Sequence, residues 1–477
     1  MKNRKMKNKL IALLLAGTTL ASCELVDVLD HEPPHNMTPE SAVKDEKSAE
    51  LALTGVYGNL IGYYSYFAIG NQAFTSGVLR ANKSSAVNQI YYSERNLPKL
   101  KYSDGFNAPF WDHSTKVINS GNLLLAALEG LNADQFTGNR KLEMEGELRF
   151  LRAFSNFEML RMFGEYDKTD SKFGMILRKK PATVNDITLA RSTVAATYEF
   201  ILEDLKFAIE NAPAFSKATQ ASRLAAQALR IKVLFYMGNY DQALIEANSF
   251  IGSGQRKLVS PYANVFSDFN NSELIWVRGF AGTGEIQGQA TRIKAFNNEG
   301  KWGPTDEFLA LVENDPRKDE IIKNGVGDIF GSQLTIKKAG NATGDMPIYF
   351  LRYSEIWLIK AECEARTGKG DALATLNLLR SGHGLAAIDS QESILEILFK
   401  EWILEMSFEN GHEWHLIWRY GADKLIGMNV NVKEEYESDL ITDKEGYKKS
   451  LGYKRIYSIP KDEISANKLA VQNPGYN

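Results

Sequence analysis

Cysteine is almost absent: the 477 residues contain two, Cys23 and Cys363. That excludes a disulfide-stapled scaffold and a cysteine zinc cluster. Proline is sparse as well, with 13 residues, which argues against a turn-dense protein of many strands. Neither sign of charge dominates. Lys+Arg is 56 and Asp+Glu is 59, a formal net charge of −3, so the broad basic field of a dedicated nucleic-acid binder is missing. No apolar run reaches the ~20 residues needed to cross a bilayer as a helix. What is present is ordinary globular composition: 44% hydrophobic and 24% charged residues, enough for a large packed core and too apolar for a wholly disordered chain.

The N-terminus departs from that average. Lys2, Arg4, Lys5, Lys7 and Lys9 precede a short apolar stretch, Leu10 to Leu20. A basic segment followed by a short hydrophobic one is a secretory signal. It ends Leu20-Ala21-Ser22-Cys23, small residues before a cysteine, the pattern of a bacterial lipobox. The thiol of Cys23 would carry the diacylglyceryl group and become residue one. Losing five basic residues and no acidic one takes the formal charge from −3 to −8. Residues 23–39 then form a tether with Asp27, Asp30, Pro33, Pro34 and Pro39 and no helical period. Cys363 is left as a lone thiol inside a helical pattern, which is read as core packing.

The rest of the chain is dominated by the 3.6-residue period. Ala49, Leu53 and Val56 share a face. So do Phe150, Phe154 and Phe157; Tyr198, Ile201, Leu205 and Ile209; Leu224, Ala228, Ile231 and Phe235; and Tyr353, Trp357, Ala361 and Ala365. Two segments share one design: Ala225 through Gly238 to Phe250, and Ala361 through Gly368 to Leu376. Each reads as a helix, a turn at glycine and a second helix opening on alanine, the logic of a tetratricopeptide-like pair. The expected fold is mostly α: tetratricopeptide-like helix pairs in one compact body, with long loops and a few short β-strands. The loops fall at residues 59–101, 252–303, which holds a β-like run at Leu274-Ile275-Trp276-Val277, and 325–344. Long loops of this kind are where function concentrates.

Patterns that carry chemistry fail one by one. Gly282-Thr283-Gly284 continues to Gly288, one residue too far for a dinucleotide fingerprint, and no phosphate-loop lysine follows. His412-Glu413-Trp414-His415 puts its histidines three apart, whereas a zinc-protease helix needs four. Glu401, Glu405 and Glu409 share a helix face. A glycosidase pair, by contrast, faces across a cleft from separate elements. These glutamates are read as solvated or paired with Arg and Lys. No catalytic constellation, metal or cofactor is expected, and a secreted, anchored chain without one is read as a binder and not an enzyme.

Several motifs, in order, resemble the SusD/RagB family of outer-membrane lipoproteins of Bacteroidetes. They are Cys23 with the helix Ala49–Tyr57; Glu147-Leu148-Arg149-Phe150-Leu151-Arg152-Ala153-Phe154 through Phe163-Gly164; and Gly303-Pro304-Thr305-Asp306-Glu307-Phe308 with Asp315-Pro316-Arg317. They continue with Leu351-Arg352-Tyr353-Ser354-Glu355-Ile356 through Ala361-Glu362, then Ile459-Pro460, Glu463-Ile464 and Gln472-Asn473-Pro474-Gly475-Tyr476. Glu413 and Leu416 stand where family members commonly have arginine and aspartate, which puts one local ion pair in doubt. On this resemblance the chain divides into a signal (1–22), tether (23–39), N-terminal SusD-like region (40–215), helix pair and linker (216–270) and C-terminal RagB/SusD region (271–477).

The resemblance implies a helical body with four tetratricopeptide-like pairs, seated as a lid on a SusC-like TonB-dependent transporter. It implies capture of a nutrient, often an oligosaccharide, at the surface of the outer membrane. No family motif assigns the ligand residues. Loop composition suggests them: Tyr63, Tyr64, Tyr66, Tyr91 and Tyr92 offer faces for sugar rings, Arg80 and Asn82 offer hydrogen bonds, and Trp302 joins from a distant loop. The competing classes are a surface glycan hydrolase and a scaffold without a small ligand.

Stable anchoring takes more than one acyl chain, and the thiol is the attachment point. Cys23→Ser is expected to leave the membrane fraction or to stay unprocessed. Retention of labelled lipid by the variant would show that another residue anchors the chain.

Overall fold

A computed structural model describes residues 42–60, 79–81, 104–183, 188–267, 270–278, 302–304, 306–324, 334–336, 348–420, 441–442, 448–449, 456–474 and 476. Eight helices pack in series. They are α1 (Glu46–Gly58), α2 (Asp104–Glu129), α3 (Arg140–Phe163), α4 (Val194–Asn211), α5 (Arg223–Tyr236), α6 (Tyr240–Gly252), α9 (Tyr353–Thr367) and α10 (Ala372–Gly382). Each lies against the next, and α9 follows α6 directly in space although about a hundred residues separate them in the chain. The intervening stretch carries α7 (Asp306–Val312) and the single turn α8 (Lys318–Ile321). Then α11 (Ile394–Met406) and α12 (His412–Tyr420) pack back onto the stack, and α13 (Lys461–Ala466) lies near the end. Eight helices in series amount to four hairpins, two of them read from the sequence pattern and all four implied by the family resemblance.

Local chemistry explains the boundaries. Asp45 and Ser48 cap α1 reciprocally. Thr193, Ser222, Asn239, Asp371 and Ser393 each accept a main-chain N–H at the start of α4, α5, α6, α10 and α11. Such caps satisfy donors that a helix cannot satisfy itself, each for about 1 kcal/mol. The turns of the two predicted pairs are equivalent: Gly238 and Gly368 both have positive φ, +77° and +66°. Only glycine occupies that region without strain.

Strands are short and form two-stranded antiparallel ribbons. β1 (Leu79–Ala81) pairs with β3 (Trp302–Pro304), β2 (Leu274–Arg278) with β6 (Ile348–Arg352), β4 (Ile322–Asn324) with β5 (Leu334–Ile336), and β7 (Ile441–Thr442) with β8 (Lys448–Lys449). The β2–β6 ribbon plugs into the helical stack. Trp276 is fully buried, with Phe150 and Phe154 edge-on at 5.0 and 5.9 Å. Phe350 meets Phe154 at 4.8 Å. The stripes read from periodicity are core, apart from Ile209, Trp357 and Ala365, which are half-buried. Cys363 is buried among them, and burial pushes its thiol well up.

The core is also charged. Arg352, at the end of β6, bonds Glu409 at 2.6 Å, Glu273 at 2.7 Å and Glu405 at 3.0 Å. Arg317 bonds Glu401 at 2.7 Å, Asp315 at 2.8 Å and Glu405 at 3.1 Å. Arg380 of α10 reaches Glu401 at 3.0 Å. So Glu401, Glu405 and Glu409 are paired with arginine as one reading of them held, but they are buried and not solvated. Three segments remote in sequence meet on that one run of carboxylates. Removing one partner of such a buried set strands the others. Arg352→Ala is therefore expected to lower the unfolding free energy by about 3–5 kcal/mol in a denaturant titration. A change under about 1 kcal/mol would mean that the network contributes little.

Candidate functional site

Beyond this network, the carboxylates and histidines gather in two further clusters. Glu273, His383 and Glu405 approach closely enough to be considered for a metal. Arg352 already fills that space with Nη1 on Glu273 and Nη2 on Glu405. His383 Nδ1 lies 2.9 Å from the Val259 carbonyl, which can only accept, so this nitrogen carries a proton. Its Nε2 lies 3.5 and 3.7 Å from Glu405 and Glu273 and 3.2 Å from the Ser354 hydroxyl. That hydroxyl donates to Glu273 and accepts from Arg352. The bookkeeping leaves Nε2 protonated too, making His383 an imidazolium. Burial disfavours that charge, but Glu405, Glu273 and the Val259 carbonyl outweigh it and raise the pKa. The cluster is a cross-link, not a metal centre.

His412 and His415 behave oppositely. Both are fully buried, and burial, reinforced by Arg161 and Lys232, holds them well below the ordinary histidine value. Among the described residues they join no group suited to a metal. Glu413 and Leu416 beside them are buried, while Arg419 clamps Glu362 at 2.7 Å.

Two hollows among the described residues are small. One of about 240 Å³ is lined by Arg230, Glu246 and Phe250, and one of about 200 Å³ by Tyr166, Tyr236, Tyr240, His415 and Arg419. Both fall below the roughly 300 Å³ at which ordinary ligand pockets begin. That directs attention to the chain excursions.

Two long stretches of chain separate these elements. The first follows α1 at Leu60 and returns at α2; the second follows β2 at Arg278 and returns at β3. Burial holds the His113 imidazole of α2 below its ordinary value, and the Lys116 and Arg278 charges add to that. The excursions also pair with each other: Arg80 of β1 stands opposite Gly303, and Ala81 opposite Trp302. Thus the backbones of Arg80 and Trp302 are brought together although 221 positions separate them. Just after β3, Phe308 of α7 is buried edge-on against Phe408 at 5.3 Å, which ties the second excursion to the body. Tyr63, Tyr64, Tyr66, Asn82, Tyr91 and Tyr92 lie outside the described residues, as do Cys23 and the glycines at 282–288.

Sequence reading passed over His113 and Arg278. Arg278 had a legible signal, since it closes the β-like run just before a Gly-rich stretch. His113 had none, being one histidine inside a helical pattern.

The comparisons with known proteins agree with this architecture. A family model described as "SusD family" matches residues 327–476. One described as "Starch-binding associating with outer membrane" matches residues 27–235. A SusD-like protein of Formosa agariphila is 23% identical over 337 residues, 66% of this chain and 60% of that protein. The chain therefore spans less than two thirds of that relative. A SusD-like protein of Bacteroides ovatus is 21% identical, covering 92% of this chain and 88% of its own. The solved structure of a "Laminarin binding SusD-like protein" superposes with a TM-score of 0.72 at 21% identity, covering 91% of this chain and all of that one. The chain is a SusD-like protein.

The raised pKa of His383 has a measurable consequence. A group whose pKa rises on folding contributes its full stability below the unfolded value, about 6.5 for histidine, and loses it as pH climbs through the folded value. His412 and His415, with lowered values, act on the other side, costing stability as pH falls below about 6.5. Wild type is expected to lose denaturant resistance as pH rises from about 6.5 toward 9, and His383→Gln is expected to be flatter there. Equal slopes would show that His383 is neutral in the fold.

Proposed function

We propose that this chain is a lipid-anchored lipoprotein of the outer-membrane surface. It captures an oligosaccharide on its two paired excursions and passes it to a SusC-like TonB-dependent transporter. The observation that carries the reading is the β1–β3 pairing, which joins two long segments, one rich in Tyr and Asn and the other ending at Trp302. Aromatic faces stack on sugar rings, and tyrosine suits a half-wet surface because it is apolar in body and polar at the tip. The family description names starch binding and outer-membrane association, and the structural neighbour is named for laminarin binding. The helical stack offers broad faces suited to a lasting protein contact.

Binding is favoured over glycan hydrolysis because the one carboxylate row read as a candidate is committed to arginines. Glu401, Glu405 and Glu409 hold Arg317, Arg380 and Arg352 in the core and have no path to a substrate. The ligand set proposed is Tyr63, Tyr64, Tyr66, Arg80, Asn82, Tyr91, Tyr92 and Trp302, with Cys23 as the lipid attachment.

One preparation tests the whole reading. Mild detergent extraction of the outer membrane is expected to recover the chain with a β-barrel partner in near-equal amount. Calorimetry on that complex with laminari- and malto-oligosaccharides is expected to detect binding. Among Tyr64→Ala, Tyr66→Ala, Tyr91→Ala and Trp302→Ala, loss of a stacking anchor should cost about 2 kcal/mol, roughly 30-fold in affinity. Four variants that fold and bind as wild type would move the site elsewhere. Recovery of the chain alone in several detergents would remove the transporter.

A further inference from the structure

Among the described residues, two non-glycines have positive φ, and both lie in the turn that joins α11 to α12: Phe408 at +67° and Asn410 at +44°. Gly411 follows at +67°. Glycine meets that conformation without strain, and asparagine tolerates it. A bulky aromatic residue does not, and it persists there only where its surroundings over-determine it. The neighbours hold the turn: Glu409 bonds Arg352 at 2.6 Å, and the Asn410 side-chain amide donates to Glu158 at 3.4 Å. These bonds fix the backbone. They give no reason for a ring at position 408, where glycine would serve the turn better.

The ring has a use outside the turn. Phe408 is half-buried, and it meets Phe308 edge-on at 5.3 Å. Phe308 is fully buried in the first turn of α7, four positions after Pro304 closes β3. α7 itself lies against α11. β3 in turn pairs with β1 and lies beside β5. The chain that makes the β1–β3 ribbon is thus tied to the helical body by a ring carried on a strained backbone. Further along the same stretch, Arg317 makes a second tie, to Glu401 and Glu405 of α11. Arg317 belongs to the core network, so its loss disturbs the whole fold. The tie at Phe408 is local.

We propose that Phe408 is a positioning residue for the ligand segment: its ring clamps Phe308, holds α7 on α11 and thereby fixes β3 where it pairs with β1. This rests on the reading that the paired segments bind glycan, and it gives a residue outside them the task of pre-forming that surface. A surface formed in advance loses less conformational freedom when ligand arrives and binds more tightly for it.

The test is hydrogen exchange read by mass spectrometry on the full chain in mild detergent, which reports local opening segment by segment. Calorimetry with laminari- and malto-oligosaccharides runs beside it. Phe408→Gly relieves the backbone and removes the ring. It is expected to speed exchange of residues 302–312 by about three- to tenfold, the worth of one edge-on aromatic pair, and to weaken glycan binding by a similar factor. α5 and α6 are expected to exchange as in wild type. Phe308→Leu leaves the turn intact, is expected to act on the same segment, and serves if the glycine variant fails to fold. The thermal midpoint of Phe408→Gly is expected to lie above that of Phe408→Ala, which keeps the strain and also loses the ring. Unchanged exchange at 302–312 in both ring variants overturns the proposal, as does acceleration that reaches α5 and α6 equally. So does a midpoint higher for alanine than for glycine. Local acceleration with unaltered glycan affinity overturns the positioning role and leaves the glycan-binding reading standing. A wild type that binds neither class of sugar removes that reading, and the exchange pattern alone then upholds or overturns the clamp.

Discussion

Everything in the body depends on satisfying buried arginine. The loop before α8, the end of β6 and α10 each deliver a guanidinium to the carboxylates of Glu401, Glu405 and Glu409. None of these charges tolerates burial alone, so the segments must arrive together. The same device recurs around the stack. Arg152 locks α3 to α4 through Asp204, and Arg419 locks α12 to α9 through Glu362. Lys232 locks α5 to α9 through Glu355. Tetratricopeptide-like stacks otherwise contact only their neighbours. Here the buried pairs add bonds between remote segments and turn a stack into a closed body.

The C-terminal tail uses neutral versions of the same idea. Asn473 donates to the carbonyls of Phe163 and Tyr457, and Gln472 brackets both main-chain groups of Ile459. Tyr476 donates to the Ile456 carbonyl. The tail thereby stitches the end of the chain to the end of α3. The motifs that carry the family resemblance are thus largely the polar fasteners of the core: Arg152, Arg317, Arg352, Glu355, Glu362, Gln472 and Asn473. They identify the scaffold and leave the ligand unspecified.

This division of labour explains the functional geometry. The helical body carries two long segments, one after Leu60 and one after Arg278, and the β1–β3 ribbon joins them. Recognition can then vary with loop composition while the fasteners stay fixed.

The sequence by itself determined the helices, the two glycine-turned pairs, the β-like run at 274–277 and the core stripes, because helical period, caps and turn glycines are local properties. It also raised the right question about Glu401, Glu405 and Glu409, since a spacing of four puts them on one face. It could not say that this face is buried, or that Arg317, Arg352 and Arg380 come to it from three separate segments. Nor could it show that α9 follows α6 in space, that Arg80 and Trp302 share a ribbon, or that His383 is charged while His412 and His415 are neutral. Those are facts of long-range packing. A histidine's charge and an arginine's partner depend on which remote oxygens burial brings within hydrogen-bond reach, and only the tertiary structure decides that.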